Sequence, residues 1–468
     1  MSVIQRLSPG WLLDHLSFIN KINYQIHQPH EPRGSQKEST PVCFDSLQMN
    51  SLSSVGFSAA FTASDSTTEP EKDGENCRTQ KYAFRSELFN VVKPYIAPAV
   101  HEACRQSNEK EDTVNNVKQE TSISVVGKKR KRSVVFNQGE LDAMEYHKKI
   151  RELILDGSSQ LIQEGLRSGF LYQLLEKRDK CSNLITLPLD TCSLSGLCEM
   201  AKHLPSLNGM ELQTLQLVEE DSSVAEQDLF SRFVENNSSF SKMITLMGQK
   251  YLLPPNSSFL LSDISCMQPL LNCGKTFDVI VMDPPWQNKS VKRSNRYSYL
   301  SPLQIQQIPV PQLAAPNCLV VTWVTNRQKH LRFVKDELYP AWSVEVLAEW
   351  HWVKITSAGE YVFPLDSPHK KPYEGLILGR VQAKATLPLR STDVTMPPIP
   401  DHKLIVSVPC VLHSHKPPLA EVLKDYIKPG GECLELFARN LQPGWTSWGN
   451  EVLKFQHVDY FVALESGC

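Results

Sequence analysis

At 468 residues the chain is long enough for two or three domains with ample core. Lys plus Arg number 49 against 51 Asp plus Glu, so there is no global positive field and any nucleic-acid contact must use local patches. The 12 cysteines include no C-x-x-C pair, which argues against zinc or any other metal site and against a secreted disulfide scaffold; a reducing compartment is the simplest inference. No apolar run reaches the roughly 18 residues of a membrane span, and no basic-then-apolar leader marks a secretory signal.

Residues 1–27 carry Trp11-Leu12-Leu13, Leu16, Phe18 and Ile19 at spacing that predicts a short docking helix. Residues 28–137 read as largely disordered, because Ser, Thr, Pro, Glu and Gln dominate and few aliphatics are present. Two features interrupt that stretch. Tyr82, Phe84, Leu88, Phe89 and Tyr95 suffice to dock but not to fold alone, and Lys128-Lys129-Arg130-Lys131-Arg132 fits a nuclear import signal or a phosphate-contacting arm, against a plain solvated cluster. The nucleus is the expected location, with cytosol or mitochondrion as alternatives.

From Gln138 the apolar residues step by three and four through Leu141, Met144, Ile150, Ile154, Leu161 and Leu166, with Gly157-Ser158 expected to divide two helices. The segment 138–255, including Phe230 to Lys250, is predicted to be a mostly helical domain without recognisable chemistry. Beyond it, in 256–468, short apolar runs alternate with helical patterns, the signature of a mainly parallel, Rossmann-like α/β sheet. Strands are expected at 259–261, 277–282, 318–324, 344–354, 375–378, 404–408, 433–437 and 460–464, with helical connections at 302–313, 327–338, 418–427 and 451–455.

The strand Phe277–Met282 runs straight into Asp283-Pro284-Pro285-Trp286. In open α/β sheets ligands sit at the carboxyl ends of strands, so these four residues are the catalytic candidates. The Asp283 carboxylate and the Pro284 carbonyl can each accept one N–H of an exocyclic amine, the prolines remove competing donors, and Trp286 offers a face on which a base can stack. Such parts suit methylation of an amino group on an aromatic ring by positioning and electrostatics, without metal or covalent intermediate. The alternative is a Pro-Pro turn ending a strand with a core tryptophan.

No G-x-G-x-x-G occurs, which disfavours nicotinamide and flavin chemistry. Instead Pro429-Gly430-Gly431 turns into the strand ending Phe437-Ala438-Arg439, later in the chain than Asp283. On its own that turn is more often structural. Between Gln287 and Leu300, Lys289, Lys292, Arg293 and Arg296 are interleaved with Tyr297 and Tyr299 without an acid, a pattern that places cations for phosphates beside rings for bases.

Together these features resemble the MT-A70 family of S-adenosylmethionine-dependent adenine N(6)-methyltransferases, over roughly residues 255–465. The resemblance implies the permuted order of that family, catalytic motif before cofactor strand. It implies S-adenosylmethionine as cofactor, with Asp263-Ile264 at its adenine, Lys416 at its methionine carboxylate, Arg439, Asn440, Asn450 and Glu451 at its ribose, and Asp283 also in contact with it. It also implies Tyr297 in the base pocket and a second active-site loop in which Lys354 and Lys371 meet phosphates and Glu374 orients the base, with 356–368 between them as a mobile lid. The implied partner is nucleic acid, RNA carrying 2′-O-methyladenosine (small nuclear RNA) before DNA. The expected assembly is a monomer without an obligate partner subunit and without membrane contact; a non-catalytic binding subunit of the same fold is the rival reading.

Overall fold

A computed structural model describes residues 2–27, 79–95, 137–172, 194, 196, 215–217, 221–223, 232–287, 299–367, 370–382 and 396–465. The polar stretches, the cations at 128–132, and Lys289, Lys292, Arg293, Arg296 and Tyr297 lie outside them. Among the described residues the fold is built on one mixed sheet of 12 strands and two three-stranded sheets.

Strands of the chain are β1 (Val3–Leu7), β2 (Gly10–Leu13), β3 (Tyr24–His27), β4 (Thr79–Phe84), β5 (Leu215–Gln216), β6 (Asp221–Ser223), β7 (Val234–Asn236), β8 (Lys242–Leu246) and β9 (Gln249–Leu253). They continue with β10 (Ser257–Leu260), β11 (Phe277–Met282), β12 (Ala314–Val324), β13 (Val344–Lys354), β14 (Tyr373–Val381), β15 (Leu404–Ser407), β16 (Cys433–Leu436), β17 (Trp445–Trp448) and β18 (Phe461–Leu464). The large sheet runs β1-β2-β15-β13-β14-β12-β11-β16-β17-β10-β7-β5, and its middle strands β12, β11, β16, β17 and β10 are parallel neighbours. β11 is buried on both faces, which is why it reads as an unbroken apolar run: Ile280 and Met282 enter one core layer and Val279 and Val281 the opposite one.

Three sequence expectations change here. Residues 1–27 are not one docking helix. A seven-residue helix, α1 (His15–Lys21), capped by Asp14, sits between a hairpin and β3, and β2 extends the large sheet in parallel beside β15. Gly10 makes that pairing possible, since a Cβ there would lie 1.9 Å from the Leu404 carbonyl oxygen. Second, Gly157-Ser158 does not divide two helices. α2 (Gln138–Arg167) is continuous, with Asn137 and Glu140 forming a reciprocal cap. Gly157 is there because α2 lies on β15: a Cβ would sit 2.7 Å from a Leu404 methyl. Third, the described part of the segment from Phe230 to Lys250, residues 232–250, forms strands and turns rather than helix. Lys242-Met243-Ile244-Thr245-Leu246 alternates buried and half-buried, a period of two that makes β8 pair with β9.

β17 was not anticipated, yet it fills the sheet between β16 and β10. The expected strand at 460–464 does form, but as β18 in the small sheet with β4 and β3 rather than in the main sheet. The expected lid is strapped down over 356–367. Arg151 on α2 grips Asp366 through two bonds of 2.7 and 2.9 Å, Ser158 meets the Tyr361 hydroxyl at 2.7 Å, and the Val362 carbonyl accepts from Tyr95 N at 2.9 Å. These ties come from residues more than 200 positions upstream, which a reading of the loop alone does not include.

Candidate active site

Apart from Lys416, which follows β15, the predicted cofactor and catalytic residues fall at the carboxyl ends of four adjacent parallel strands, β10, β17, β16 and β11. Asp263 follows β10, Asn450 and Glu451 follow β17, Arg439 and Asn440 follow β16, and Asp283 follows β11. Parallel pairing with little stagger, Met282 opposite Leu436 and Leu436 opposite Trp448, aligns those ends at one edge. Two backbone features shape it further. Phe437 and Ser414 hold left-handed φ values of 60° and 68°, unusual for residues with side chains, directly before the segments that carry Arg439 and Lys416. Gly449 lets β17 approach: a Cβ would lie 2.9 Å from the Ala438 carbonyl.

Charges along this edge alternate. Lys354 bonds Glu374, Glu374 bonds Lys416, and Lys416 lies 3.7 Å from Asp283 Oδ2. Arg439 Nη1 donates to the same Oδ2 at 3.0 Å and its Nε donates to Glu451 at 3.0 Å, which Lys454 holds from the other side at 2.8 Å. Burial opposes ionisation of Glu374, but Lys354 and Lys416 outweigh it and hold its carboxyl well below the usual range. Burial likewise disfavours the Lys416 ammonium, and Asp283 and Glu374 reverse this and raise its pKa. Glu451 is lowered by Lys454 and Arg439 against the same burial. The lysines rest on indoles, Lys416 4.9 Å from the Trp323 ring and Lys354 4.4 Å from Trp352.

Asp283, Pro284, Lys354, Glu374, Lys416 and Arg439 line one cleft of about 550 Å³, which also includes Lys371 on its wall. Lys371 Nζ donates to the Leu365 carbonyl at 3.4 Å, and burial lowers its pKa. Asn440 instead faces a small internal cavity shared with Lys416, Glu435 and Gln442. Asp263 caps its own turn through Ser265 N at 2.8 Å, and Ile264 packs on the core.

The Asp-Pro-Pro-Trp segment departs from expectation in two ways. Trp286 borders the cleft, as Pro285 does, but offers little of its face: it is buried, stacks on His330 at 4.9 Å, and its indole N–H donates to the Trp323 carbonyl at 2.8 Å. A tryptophan N–H needs a partner once buried, and that bond fixes the ring as a pillar under the turn. Nor is the Pro284 carbonyl without competition, since Trp286 N donates to it at 2.8 Å, closing a three-residue turn about Pro285. One lone pair of that carbonyl is left for a ligand. Both cations on Asp283 meet Oδ2, so Oδ1 takes part in neither contact.

Glu435 escaped the sequence reading. It lies on β16, and burial, with Asp283 adding to it against a bond from Gln442, pushes its pKa up to about 7. A carboxylate inside the apolar run Cys433–Leu436 was the available signal.

The model of the MT-A70 family matches residues 277–451, from the start of β11 to Glu451. A human protein named N(6)-adenine-specific methyltransferase METTL4 is 80% identical over 100% of both chains. The chain belongs to the MT-A70 family. More distant members match in part: an N6-methyladenosine RNA methyltransferase MTA1 of Pyricularia oryzae is 35% identical over 46% of this chain and 58% of its own. A DNA N6-methyl methyltransferase of Caenorhabditis elegans is 34% identical over 45% and 56%. The MT-A70 match spans β11 to β17 and most of the cleft, whereas α2, β2, β4 and Tyr95 of the cleft wall lie outside it.

Proposed function

We propose that the chain transfers a methyl group from S-adenosylmethionine to the 6-amino group of adenine in nucleic acid, with internal 2′-O-methyladenosine of small nuclear RNA as its preferred target. One observation carries the reading: in a member of a methyltransferase family, a carboxylate at the end of a buried parallel strand is oriented through one oxygen by two cations, leaving the other for a ligand.

The donor set suits the cofactor. Lys416 complements a methionine carboxylate, Asp283 and Glu374 its ammonium, and Arg439 with Asn450 and Glu451 a ribose diol. When bound, the cofactor supplies an electrophilic methyl on a sulfonium. The chain does the rest. Asp283 Oδ1 and the remaining Pro284 lone pair accept the two N–H bonds of the adenine amine, which favours the pyramidal nitrogen and directs its lone pair. Lys354 holds Glu374 beside the cofactor lysine, and Trp286 fixes the turn. In this reading the basic loop with Lys289, Lys292, Arg293, Arg296 and Tyr297, together with Lys371, contacts the target strand, the order of elements is the permuted one, and Lys128–Arg132 directs nuclear import. The intramolecular bracing by α2 supports action as a monomer.

The test is methyl transfer from labelled S-adenosylmethionine to single-stranded DNA, duplex DNA, plain RNA and RNA with one 2′-O-methyladenosine, with Asp283→Ala alongside. Labelling that is fastest on the 2′-O-methyl RNA and lost in the variant is expected. Faster labelling of DNA would replace the RNA target, and no labelling of any substrate while cofactor still binds would overturn the enzyme reading.

A further inference from the structure

The mouth of the active-site cleft carries an aromatic pair that lies outside the family-matched catalytic segment on one side. Tyr95 comes from the N-terminal part of the chain, Phe363 from the strapped loop, and both line the cleft that contains Asp283. Their ring centroids are 5.4 Å apart at 58°, and Lys370 Nζ lies 5.3 Å from the centroid of Phe363. The buried tyrosines of this fold have their hydroxyls or rings enclosed: Tyr24 and Tyr339 are 1% and 0% exposed, while Tyr95 is 50% exposed. Its backbone is nevertheless tied down, because Tyr95 N donates to Val362 O at 2.9 Å, and Ser357 N donates to Val91 O at 2.8 Å.

A half-exposed ring on a hydrogen-bonded backbone, beside a cation whose ammonium rests on an aromatic face, has the chemistry of a base-stacking platform with a phosphate contact. A core role does not explain its exposure, and a peptide groove would not call for unneutralised lysine at the rim; Lys370 makes no ion pair among the described residues. From these contacts we infer that Tyr95, with Phe363 and Lys370, forms a subsite that stacks the base of a nucleotide flanking the target adenine in a single strand. This rests on the nucleic-acid reading above. It also gives the segment around β4 a function: it carries a substrate contact into a cleft otherwise built from the MT-A70 region.

The experiment uses the full-length chain and whichever single-stranded oligonucleotide it methylates, with 2-aminopurine placed in turn at each position beside the target adenine. Wild type should quench the fluorophore at one flanking position. Tyr95→Leu, which keeps an apolar side chain but has no π-face, should abolish that quenching and raise the oligonucleotide KM about tenfold, with kcat and S-adenosylmethionine binding unchanged. Tyr95→Phe should behave as wild type. If Tyr95→Leu and Tyr95→Ala are folded by circular dichroism and retain both quenching and KM, or if Tyr95→Phe loses as much as Tyr95→Leu, the stacking subsite is overturned. A merely structural role would lower kcat and cofactor binding as well, and that pattern also overturns it. Failure of the wild type to methylate any oligonucleotide removes the functional reading itself, whereas methylation with an unchanged KM in the variants removes only the subsite.

Discussion

Asp283→Asn separates the chemical role of this carboxylate from its structural one. At an effective dielectric of about 20, each attraction on Oδ2, from Arg439 at 3.0 Å and Lys416 at 3.7 Å, is about 5 kcal/mol before desolvation. Removing the charge strands neither cation, because Arg439 retains Glu451 and Lys416 retains Glu374. The stability loss is therefore expected at about 1–2 kcal/mol, below the roughly 3–5 kcal/mol of an orphaned buried charge. Activity should fall much further. Arg439 and Lys416 are both donors, so the new amide turns its oxygen toward them and places its NH2 where Oδ1 stood, facing the amine with a donor instead of an acceptor. Loss of one preorganised group costs about 10²–10³ in kcat. Single-turnover transfer of labelled methyl, calorimetric cofactor titration and thermal unfolding measure the three quantities. A kcat within tenfold of wild type would refute the hydrogen-bonding role, and a collapse of the folded state would make Asp283 a structural residue.

Glu435 ordinarily titrates at 4.5 and in the fold at about 7, so the folded chain binds the extra proton between those values and loses stability as pH rises through them. Glu435→Gln, which can still accept from Gln442, should gain up to about 3 kcal/mol over wild type at pH 8 and nothing below pH 4, read from urea midpoints. An equal gain at both pH values would contradict this. His415 behaves oppositely: burial pushes its pKa from 6.5 to about 3, so its contribution is present at neutral pH and is lost as pH falls below 6.5. His415→Phe, which preserves the stack on Phe455, should lose about 2 kcal/mol less than wild type between pH 7 and pH 5. Deleting residues 2–13 should yield aggregated protein in size-exclusion chromatography, because β15 would become an exposed sheet edge; a soluble, active truncation would show that β2 is dispensable.

Much of the local structure was legible in contiguous residues. β11 declared itself because a strand covered on both faces is apolar at every position, and the Asp-Pro-Pro-Trp turn because proline restricts backbone over a few residues. The helical period of α2 was readable for the same reason, and β8 could have been, since its alternation is in the sequence. What the sequence could not order were the long-range meetings. Asp283 finds Arg439 across 156 positions, Ser158 finds Tyr361 across 203, and Gly157 reads as a break until Leu404 is seen against it. Trp286 looked like an open platform because its partners, Trp323 and His330, stand on other elements. Periodicity and backbone restriction act within one segment, so the sequence by itself determined the strand, the turn and the residue types of the site; burial, ion pairing and exposure depend on which segments meet, and those only the tertiary structure decided.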